Sequence, residues 1–290
     1  MELSLLLSGI ETGAFYGLVA LGYFLFLRAT GAVNFAMGAY VMFAGVAYGS
    51  LSEDPSAPLV LVLAIASALG AALLFAWITE DGILRPMLRR AHDEFGAVMA
   101  IVALMFVIEQ LAGLAFGRRP VLGRELLDGS AVIVGLAIDD HDLLALAATL
   151  AIFAAVSVWL KHGRYGRMLR AVGDNEGAAR TLGLPVRRVR LVAVLGTGLI
   201  CGIAGILVAP QTALSFQSHL SFAILGFIAL VLGGVGTPWA PLVGGMLVSA
   251  IESLSARFVG GSARDYVLLA LVILVFSFRP QGLFTIRIRA

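Results

Sequence analysis

Charge, cysteine and lysine are all scarce in this 290-residue sequence. Only 13% of its residues are charged, whereas a typical soluble protein has about 25%. The only cysteine, Cys201, excludes an internal disulfide and a metal site built from several cysteines. The only lysine, Lys161, follows no glycine-rich turn, so the sequence has no G-x-x-x-x-G-K-S/T phosphate loop. The chain is therefore not a Walker-type ATPase.

The sequence also offers little for catalysis or for nucleic-acid binding. Its four histidines are scattered through predicted loops, with neither the spacing of metal ligands nor a nucleophile arranged beside them. The main basic stretch adjoins a membrane-crossing run and has only Tyr165 as an aromatic platform for bases. We therefore expect no enzyme activity, no cofactor or metal, and no nucleic-acid partner.

Apolar residues are what the sequence has in abundance. They make up 60% of the chain, and the mean hydropathy is +0.98. Several apolar runs reach the roughly 20 residues with which a helix crosses a bilayer, where the backbone must satisfy its own hydrogen bonds. The sequence thus predicts an all-α polytopic membrane protein, a single transmembrane domain over residues 1–290 with about eight or nine spans. The predicted spans are 4–27, 31–50, 58–78, 97–116, 143–160, 191–213, 222–236, 240–256 and 266–279.

The distribution of basic residues predicts the orientation. If residues 161–190 are cytoplasmic and the spans alternate, 15 basic residues lie on the inner side and 5 on the outer side. Short cytoplasmic loops carry such an excess of lysine and arginine. We expect a multi-pass protein of the inner (plasma) membrane, with its N-terminus outside and its C-terminus in the cytoplasm.

One long polar segment, residues 162–190, interrupts the apolar runs and carries seven arginines. Its centre predicts a short surface helix over residues 174–183, because a cap, an acidic first turn, two small residues and a glycine stop follow one another. These residues are, in that order, Asp174, Glu176, Ala178, Ala179 and Gly183. Two interpretations stay open. The segment is either a solvated loop whose arginines hold anionic lipid or a helix that docks on a cytoplasmic partner.

The stretch EGAARTLGLP (176–185) resembles the glutamate–alanine loop by which permease subunits of ABC importers engage their ATPases. The wider sequence is similar to the LivH-type branched-chain amino acid permeases in four blocks that together extend over nearly the whole chain. The blocks are ALGYFLFLRATGAVNFAMGAYVMFAG (20–45), GRYGRMLRAVGDNEGAARTLGL (163–184), GFIALVLGGVGTPWAPLVGGMLVSAIESL (226–254) and RPQGLF (279–284).

The resemblance implies the permease fold of ABC importers, with the helix at 174–183 as the ATPase-coupling helix. It implies half of a transmembrane pathway for the uptake of branched-chain or other hydrophobic amino acids, driven by ATP hydrolysis on separate subunits. The implied partners are a second permease (LivM-like or identical), two cytoplasmic ABC ATPases, an external or periplasmic substrate-binding protein, and membrane lipids.

Two departures from the family pattern leave the solute open. Met37 stands where the family commonly has histidine or glutamine, and Leu225 stands where many members carry lysine. Both changes remove polar groups that a zwitterion would use. Urea or short amides, and then sugars or nucleosides, are therefore the alternatives to an amino acid.

Polar residues inside the predicted spans are candidates for the substrate pathway, because such groups are costly in a bilayer. The carboxylates of Glu11, Glu109 and Glu252 all lie in the outer part of their spans. The structural alternative is that they pair with serines, with Arg257 or with backbone near the headgroups.

The turn at 28–38 supplies three more pathway candidates, Asn34, Phe35 and Met37. Asn34 is the strongest of them, because an amide inside an apolar run needs a partner. Gln211, at the outer end of the sixth span, completes the set. The rival class, a stand-alone secondary transporter or channel, predicts acids at mid-depth for ion coupling and no docking helix, and the sequence shows neither pattern.

Overall fold

The computed structural model describes residues 2–52, 58–90, 94–127, 129–133, 136–258 and 270. Its α-helices are, in chain order, α1 (Glu2–Thr30), α2 (Met37–Leu51), α3 (Pro58–Trp77), α4 (Arg85–Arg90), α5 (Glu94–Phe116), α6 (Asp140–His162), α7 (Arg164–Asp174), α8 (Glu176–Thr181), α9 (Val186–Val208), α10 (His219–Gly233) and α11 (Ala240–Phe258). A π-helical segment, Ile78–Leu84, joins α3 to α4. This architecture confirms the predicted helical membrane fold.

Eight apolar helices in the described part match the first eight predicted spans. Five are long and apolar enough to cross a membrane: Gly9–Thr30, Leu59–Met87, Phe95–Phe116, Asp140–His162 and Val186–Val208. Three are shorter: Met37–Leu51, His219–Gly233 and Ala240–Ser255. The predicted ninth span, 266–279, lies outside the described residues apart from position 270.

Two spans have different limits from those predicted. The second begins at Met37 instead of residue 31, because Gly31 turns the chain with a φ of 73°. The sixth extends from Val186 to Val208 instead of from 191 to 213. Hydropathy missed its first turn because that turn carries arginines, and it ran past Pro210, which has no N–H with which to continue a helix.

A short antiparallel hairpin precedes α6 where the sequence predicted only a loop. It consists of β1 (Ser130–Ile133) and β2 (Leu136–Asp139), and Ser130 pairs with Asp139. The N–H of Asp140 donates to the carbonyl oxygen of Gly129 at 3.1 Å. The hairpin therefore leads directly into the first turn of α6.

The chain divides into two compact units. Unit 1 comprises residues 1–24, 125–154 and 225–290, and unit 2 comprises residues 25–124 and 155–224. The single transmembrane domain over residues 1–290 stays a prediction.

In unit 1, α1 and α11 pack through a face of small residues. A Cβ on Gly13 would lie 2.9 Å from the Cα of Met246, and a Cβ on Gly17 would lie 3.1 Å from the Cα of Leu242. Only glycine allows backbones to approach so closely, which is the use of small residues spaced four apart in membrane helices.

In unit 2, α2 is the central helix. It packs against α3, α5 and α9, and 12 of its 15 residues are buried. The helices α2 and α9 approach each other closely at Gly45, where a Cβ would lie 2.9 Å from the carbonyl oxygen of Gly205. A helix that is surrounded by other helices has no side that faces water. This explains why the sequence of α2 is apolar throughout.

Candidate functional site

The charged segment begins with α7, an amphipathic helix that turns sharply away from the end of α6. Gly166, Leu169 and Val172 lie on its buried side, at intervals of three residues. A Cβ on Gly166 would lie 2.1 Å from the carbonyl oxygen of Trp159, so only glycine permits this turn. The arginines at 164, 167 and 170 follow the same interval on the exposed side.

The cap of α8 is Asn175 and not Asp174. Asn175 has an extended backbone (φ −158°, ψ 100°), and its side-chain oxygen accepts a hydrogen bond from the N–H of Ala178 at 2.9 Å. Asp174 is the last residue of α7 and lies outside α8, so its assignment as cap was wrong by one residue. Both side chains carry the oxygen that caps a helix, and the break between α7 and α8 decides which one does so. Glu176 lies in the first turn, as predicted.

The end of α8 confirms the predicted glycine stop. Gly183 has a φ of 76°, a left-handed conformation that glycine adopts readily. Its N–H donates to the carbonyl oxygen of Arg180, and the N–H of Leu184 donates to that of Ala179, both at 3.0 Å. These two bonds form a Schellman motif, which satisfies the last carbonyl groups of the helix.

The two alanines of α8 face opposite ways. Ala179 is only 2% exposed and lies against the chain itself, whereas Ala178 is exposed. Leu182, which follows the last turn, is 80% exposed. The exposed residues within 176–182 are Gly177, Ala178, Arg180, Thr181 and Leu182, and the outward face, the side that carries Ala178, is formed by Gly177, Ala178, Thr181 and Leu182. The sequence pattern predicted the same role for Ala178 and Ala179, because a helix of two turns is too short for its periodicity to distinguish its faces.

A buried ion pair lies beneath α8. In α9, the Nε of Arg190 lies 3.1 Å from Oε1 of Glu80, and its Nη2 lies 3.4 Å from Oε2. The side chain of Arg190 is 9% exposed and that of Glu80 is 5% exposed. This pair is not among the predicted site residues, although the acids at 80 and 81 directly after an apolar run are a visible signal in the sequence.

The ion pair is part of a larger cluster that links the π-helical segment, α8 and α9. Oε2 of Glu176 lies 3.8 Å from Nη1 of Arg190, and its other oxygen pairs with Arg180. Asp81 pairs with Arg85 at 3.0 Å and with Arg187 at 3.2 Å. The structure thus brings together two segments that the predicted topology placed on the same side of the membrane.

At the other end of unit 2, the contacts also join segments that the predicted topology places on one side of the membrane. Val121 and Leu214 form an isolated antiparallel bridge, and the N–H of Gly123 donates to the carbonyl oxygen of Ala209 at 2.8 Å. The Tyr48 hydroxyl donates to the carbonyl oxygen of Arg124 at 2.7 Å. These contacts join the C-terminal ends of α2 and α9 to the loop after α5, as alternating spans require.

Asn34 is fully buried and has partners within unit 2. Its side-chain oxygen accepts from the N–H of Ala36 at 2.9 Å, and its amide nitrogen donates to the Tyr40 hydroxyl at 3.2 Å. That hydroxyl also bonds to the Thr79 hydroxyl, next to Glu80. These bonds hold the turn before α2 against the end of α3. Met37 is also fully buried, whereas Phe35 is half-buried.

The three candidate carboxylates have different surroundings. In unit 2, Oε2 of Glu109 lies 3.7 Å from Nε2 of His219, and both side chains are buried. In unit 1, Glu252 is buried and accepts a hydrogen bond from the Tyr16 hydroxyl at 2.9 Å, and Glu11 is half-buried. The Tyr16 hydroxyl is thus one partner of Glu252, and a pairing with Arg257 stays a prediction. Gln211 is exposed at the end of unit 2 that carries the Val121–Leu214 bridge.

Comparisons with known proteins place this geometry in a family. A family model described as "Branched-chain amino acid transport system / permease component" matches residues 5–277. The high-affinity branched-chain amino acid transport system permease protein BraD of Pseudomonas aeruginosa is 25% identical over 292 residues, which cover 96% of this chain and 94% of BraD. The corresponding protein LivH of Escherichia coli is 25% identical over 290 residues, which cover 95% of this chain and 93% of LivH.

A relative with a different named solute also matches. The L-arabinose transport system permease protein AraH of Escherichia coli is 25% identical over 197 residues, which cover 61% of this chain and 56% of AraH. The family model nevertheless extends over almost the entire sequence, from the first turns of α1 to beyond α11. The chain therefore belongs to the family of branched-chain amino acid transport system permease components.

Proposed function

We propose that this chain is a permease subunit of an ABC importer that takes up branched-chain or other hydrophobic amino acids. Its family membership makes the chain a membrane transport permease. What we propose in addition is that ATP hydrolysis drives the transport and that the solute is an amino acid of this kind. The observation that carries the proposal is α8, a short capped helix that is held on an ion cluster and turns small and apolar side chains outward.

The outward face of α8 has the properties of a docking surface. Gly177, Ala178 and Thr181 are small and exposed, and Leu182 offers an apolar side chain that its own chain does not cover. A helix that enters a groove must be slim on the inserted side and offer an apolar contact there. Because the sequence has no phosphate loop, the groove belongs to a separate ATPase subunit.

Transport driven by ATP needs four kinds of partner: ATPases, a second permease, a substrate-binding protein and membrane lipid. Two cytoplasmic ATPases bind the end of the chain that carries α8, and a second permease, LivM-like or identical, supplies the other half of the pathway. A substrate-binding protein docks on the external side. The N-terminus is outside and the C-terminus is cytoplasmic, as the basic residues indicate.

Membrane lipid is the fourth partner, and α7 supplies the contact. Its exposed side carries three arginines, and Lys161 precedes them at the end of α6. Side chains of this kind beside a membrane span attract anionic headgroups. The lipid and docking interpretations of the charged segment therefore apply to two different helices, α7 and α8.

A branched-chain or other hydrophobic amino acid is the solute that the named functions of BraD and LivH favour. Met37, which replaces a polar residue of the family pattern, is fully buried within unit 2. A side chain in that position fills the interior of the protein, so its change of polarity does not argue against an amino acid. Urea, short amides, sugars and nucleosides are the alternative solutes. A sugar has a precedent in AraH, a relative of this chain that is named for L-arabinose transport.

Reconstitution of the complete transporter tests the proposal. The chain is co-expressed with a LivM-like permease and ABC ATPases from the same genome, and proteoliposomes are supplied with the binding protein and radiolabelled leucine. We expect accumulation of leucine that requires ATP and the binding protein. Parallel assays with urea, arabinose and a nucleoside identify the solute if leucine is not accumulated.

Two controls separate an ATP-driven importer from the rival class. An ATPase subunit with its phosphate-loop lysine replaced should abolish uptake, and a proton or sodium gradient should not restore it. Uptake by this chain alone, driven by an ion gradient and independent of any ATPase, would identify a secondary transporter or channel and contradict the proposal.

A further inference from the structure

A single arginine connects the outward helix α8 with the interior of unit 2. Arg190 contacts Glu80 through two nitrogen atoms, at 3.1 and 3.4 Å, and contacts Glu176 of α8 through a third, at 3.8 Å. Glu80 and Glu176 belong to different helical segments, 96 positions apart in the sequence, and Arg190 lies between them.

The two contacts of Arg190 differ in strength. The inner pair with Glu80 is buried, with side-chain exposures of 9% and 5%, and it combines a charge contact of 3.1 Å with one hydrogen bond of 3.4 Å from Nη2. The outer contact is longer, and the side chain of Glu176 is 38% exposed. Charge interactions weaken with distance and with access to water, so the outer contact opens easily while the inner pair persists.

The inner pair leads directly to the central helix. Thr79, next to Glu80, bonds to the hydroxyl of Tyr40 in α2, and Tyr40 accepts from Asn34 in the preceding turn. Glu80 also lies in the π-helical segment Ile78–Leu84. Such segments carry an altered backbone hydrogen-bond pattern and are frequent at functional sites.

We propose that Arg190 is a positioning residue for transport, which relays displacement of α8 through Glu80 to the π-helical segment and α2. The proposal rests on the proposed function, because it takes α8 to be the helix that the ATPase moves. The outer contact, Glu176–Arg190, opens and closes with α8, and the inner pair keeps Arg190 attached to the end of α3. Coupling between two sites requires an element with two arrangements, and the proposal assigns that part to the Glu176–Arg190 contact.

Hydrogen exchange on the purified chain tests the connection without any partner. Glu80→Gln keeps the shape of the side chain but removes the negative charge that holds Arg190, which in turn contacts Glu176 of α8. We expect it to accelerate amide exchange in α8 by about two- to thirty-fold, the range of coupling along such networks. Arg190→Lys, which keeps the positive charge but removes the guanidinium that contacts Glu80 and Glu176 through separate nitrogen atoms, should act in the same direction and serves if Glu80→Gln does not fold.

Asp81→Asn is the matched control for this exchange experiment. It changes the next residue of the same segment, but the ion pairs of Asp81 are with Arg85 and Arg187, outside the relay. We expect α8 exchange to stay at the wild-type rate. Unchanged α8 exchange in folded Glu80→Gln and Arg190→Lys, or equal acceleration in Asp81→Asn, would overturn the relay.

The complete transporter provides the functional test. Glu176→Gln should leave the ATPase bound and hydrolysing ATP, while uptake per ATP falls by about two- to thirty-fold. Arg187→Gln, a change in the same helix outside the relay, should leave that ratio unchanged. An unchanged ratio in Glu176→Gln overturns the relay. Failure of the wild-type transporter to bind its ATPase would instead refute the proposed function, and the exchange experiment would still decide whether Arg190 connects the two segments.

Discussion

Ala179 and Leu182 lie three residues apart in the α8 region, yet Ala179 is 2% exposed and Leu182 is 80% exposed. The first anchors the helix to its own chain, and the second extends from it. This division means that neighbouring residues of α8 have separable roles, and that substitutions at positions 178 and 179 should have different consequences.

We expect Ala178→Trp to release or uncouple the ATPase while the permease stays folded, because the added bulk lies on the exposed face. Ala179→Trp forces an indole into a filled site, and overpacking of this kind costs about 1–3 kcal/mol. It should therefore lower the thermal unfolding midpoint of the purified chain. Co-purification of the ATPase and the unfolding midpoint are measured for both variants, and the opposite ranking would show that α8 is oriented differently.

Asn34→Ala should destabilise the protein. The substitution leaves the buried N–H of Ala36 without its acceptor, and the Tyr40 hydroxyl keeps only its bond to Thr79. An unsatisfied buried group costs about 1–3 kcal/mol, and the unfolding midpoint should fall accordingly. Thr212→Ala, at an exposed position, should stay within about 0.5 kcal/mol of wild type. Lost uptake with an unchanged midpoint would instead favour Asn34 as a residue of the substrate pathway.

Glu109→Gln tests whether a buried carboxylate serves transport. The amide keeps the size of the side chain and removes a charge that lies 3.7 Å from Nε2 of His219. We expect uptake to fall several-fold while the complex with its partners stays intact, since intramembrane acids are retained chiefly for function. Normal uptake, or a fall in the unfolding midpoint with proportional loss of protein, would show that the contact with His219 is structural.

Cysteine labelling tests the orientation of the chain. Cys201, the only native cysteine, is fully buried, so the wild-type protein should show little background. Leu122→Cys, at a position 58% exposed, should react with an impermeant maleimide from outside intact cells. In the chain expressed without its ATPase, Leu182→Cys should react only after the membrane is permeabilised. The reverse pattern would invert the topology.

Local features of the charged segment were predictable because their causes are local. The glycine stop at Gly183 follows from the left-handed conformation that a Schellman motif needs, and eight spans follow from hydropathy alone. The cap was displaced by one residue because Asp174 and Asn175 offer the same chemistry, and backbone conformation selects between them.

The buried contacts were not predictable because their causes are distant in sequence. Arg190 and Glu80 are 110 residues apart, and no periodicity relates them. Sequence patterns showed that Asn34 needs a partner but not that Tyr40 supplies it. The burial of Ala179 depends on the packing of α8 against α7 and α9. It therefore becomes visible only in the packed structure.

The most direct measurement of the central claim is site-specific photocross-linking from α8 in the assembled transporter. A benzoylphenylalanine at position 182 should cross-link to the ATPase subunit, and the same group at position 122, at the other end of unit 2, should not. Cross-links from position 182 to lipid alone, in a complex that contains the ATPase and transports its solute, would contradict the assignment of α8 as the docking helix.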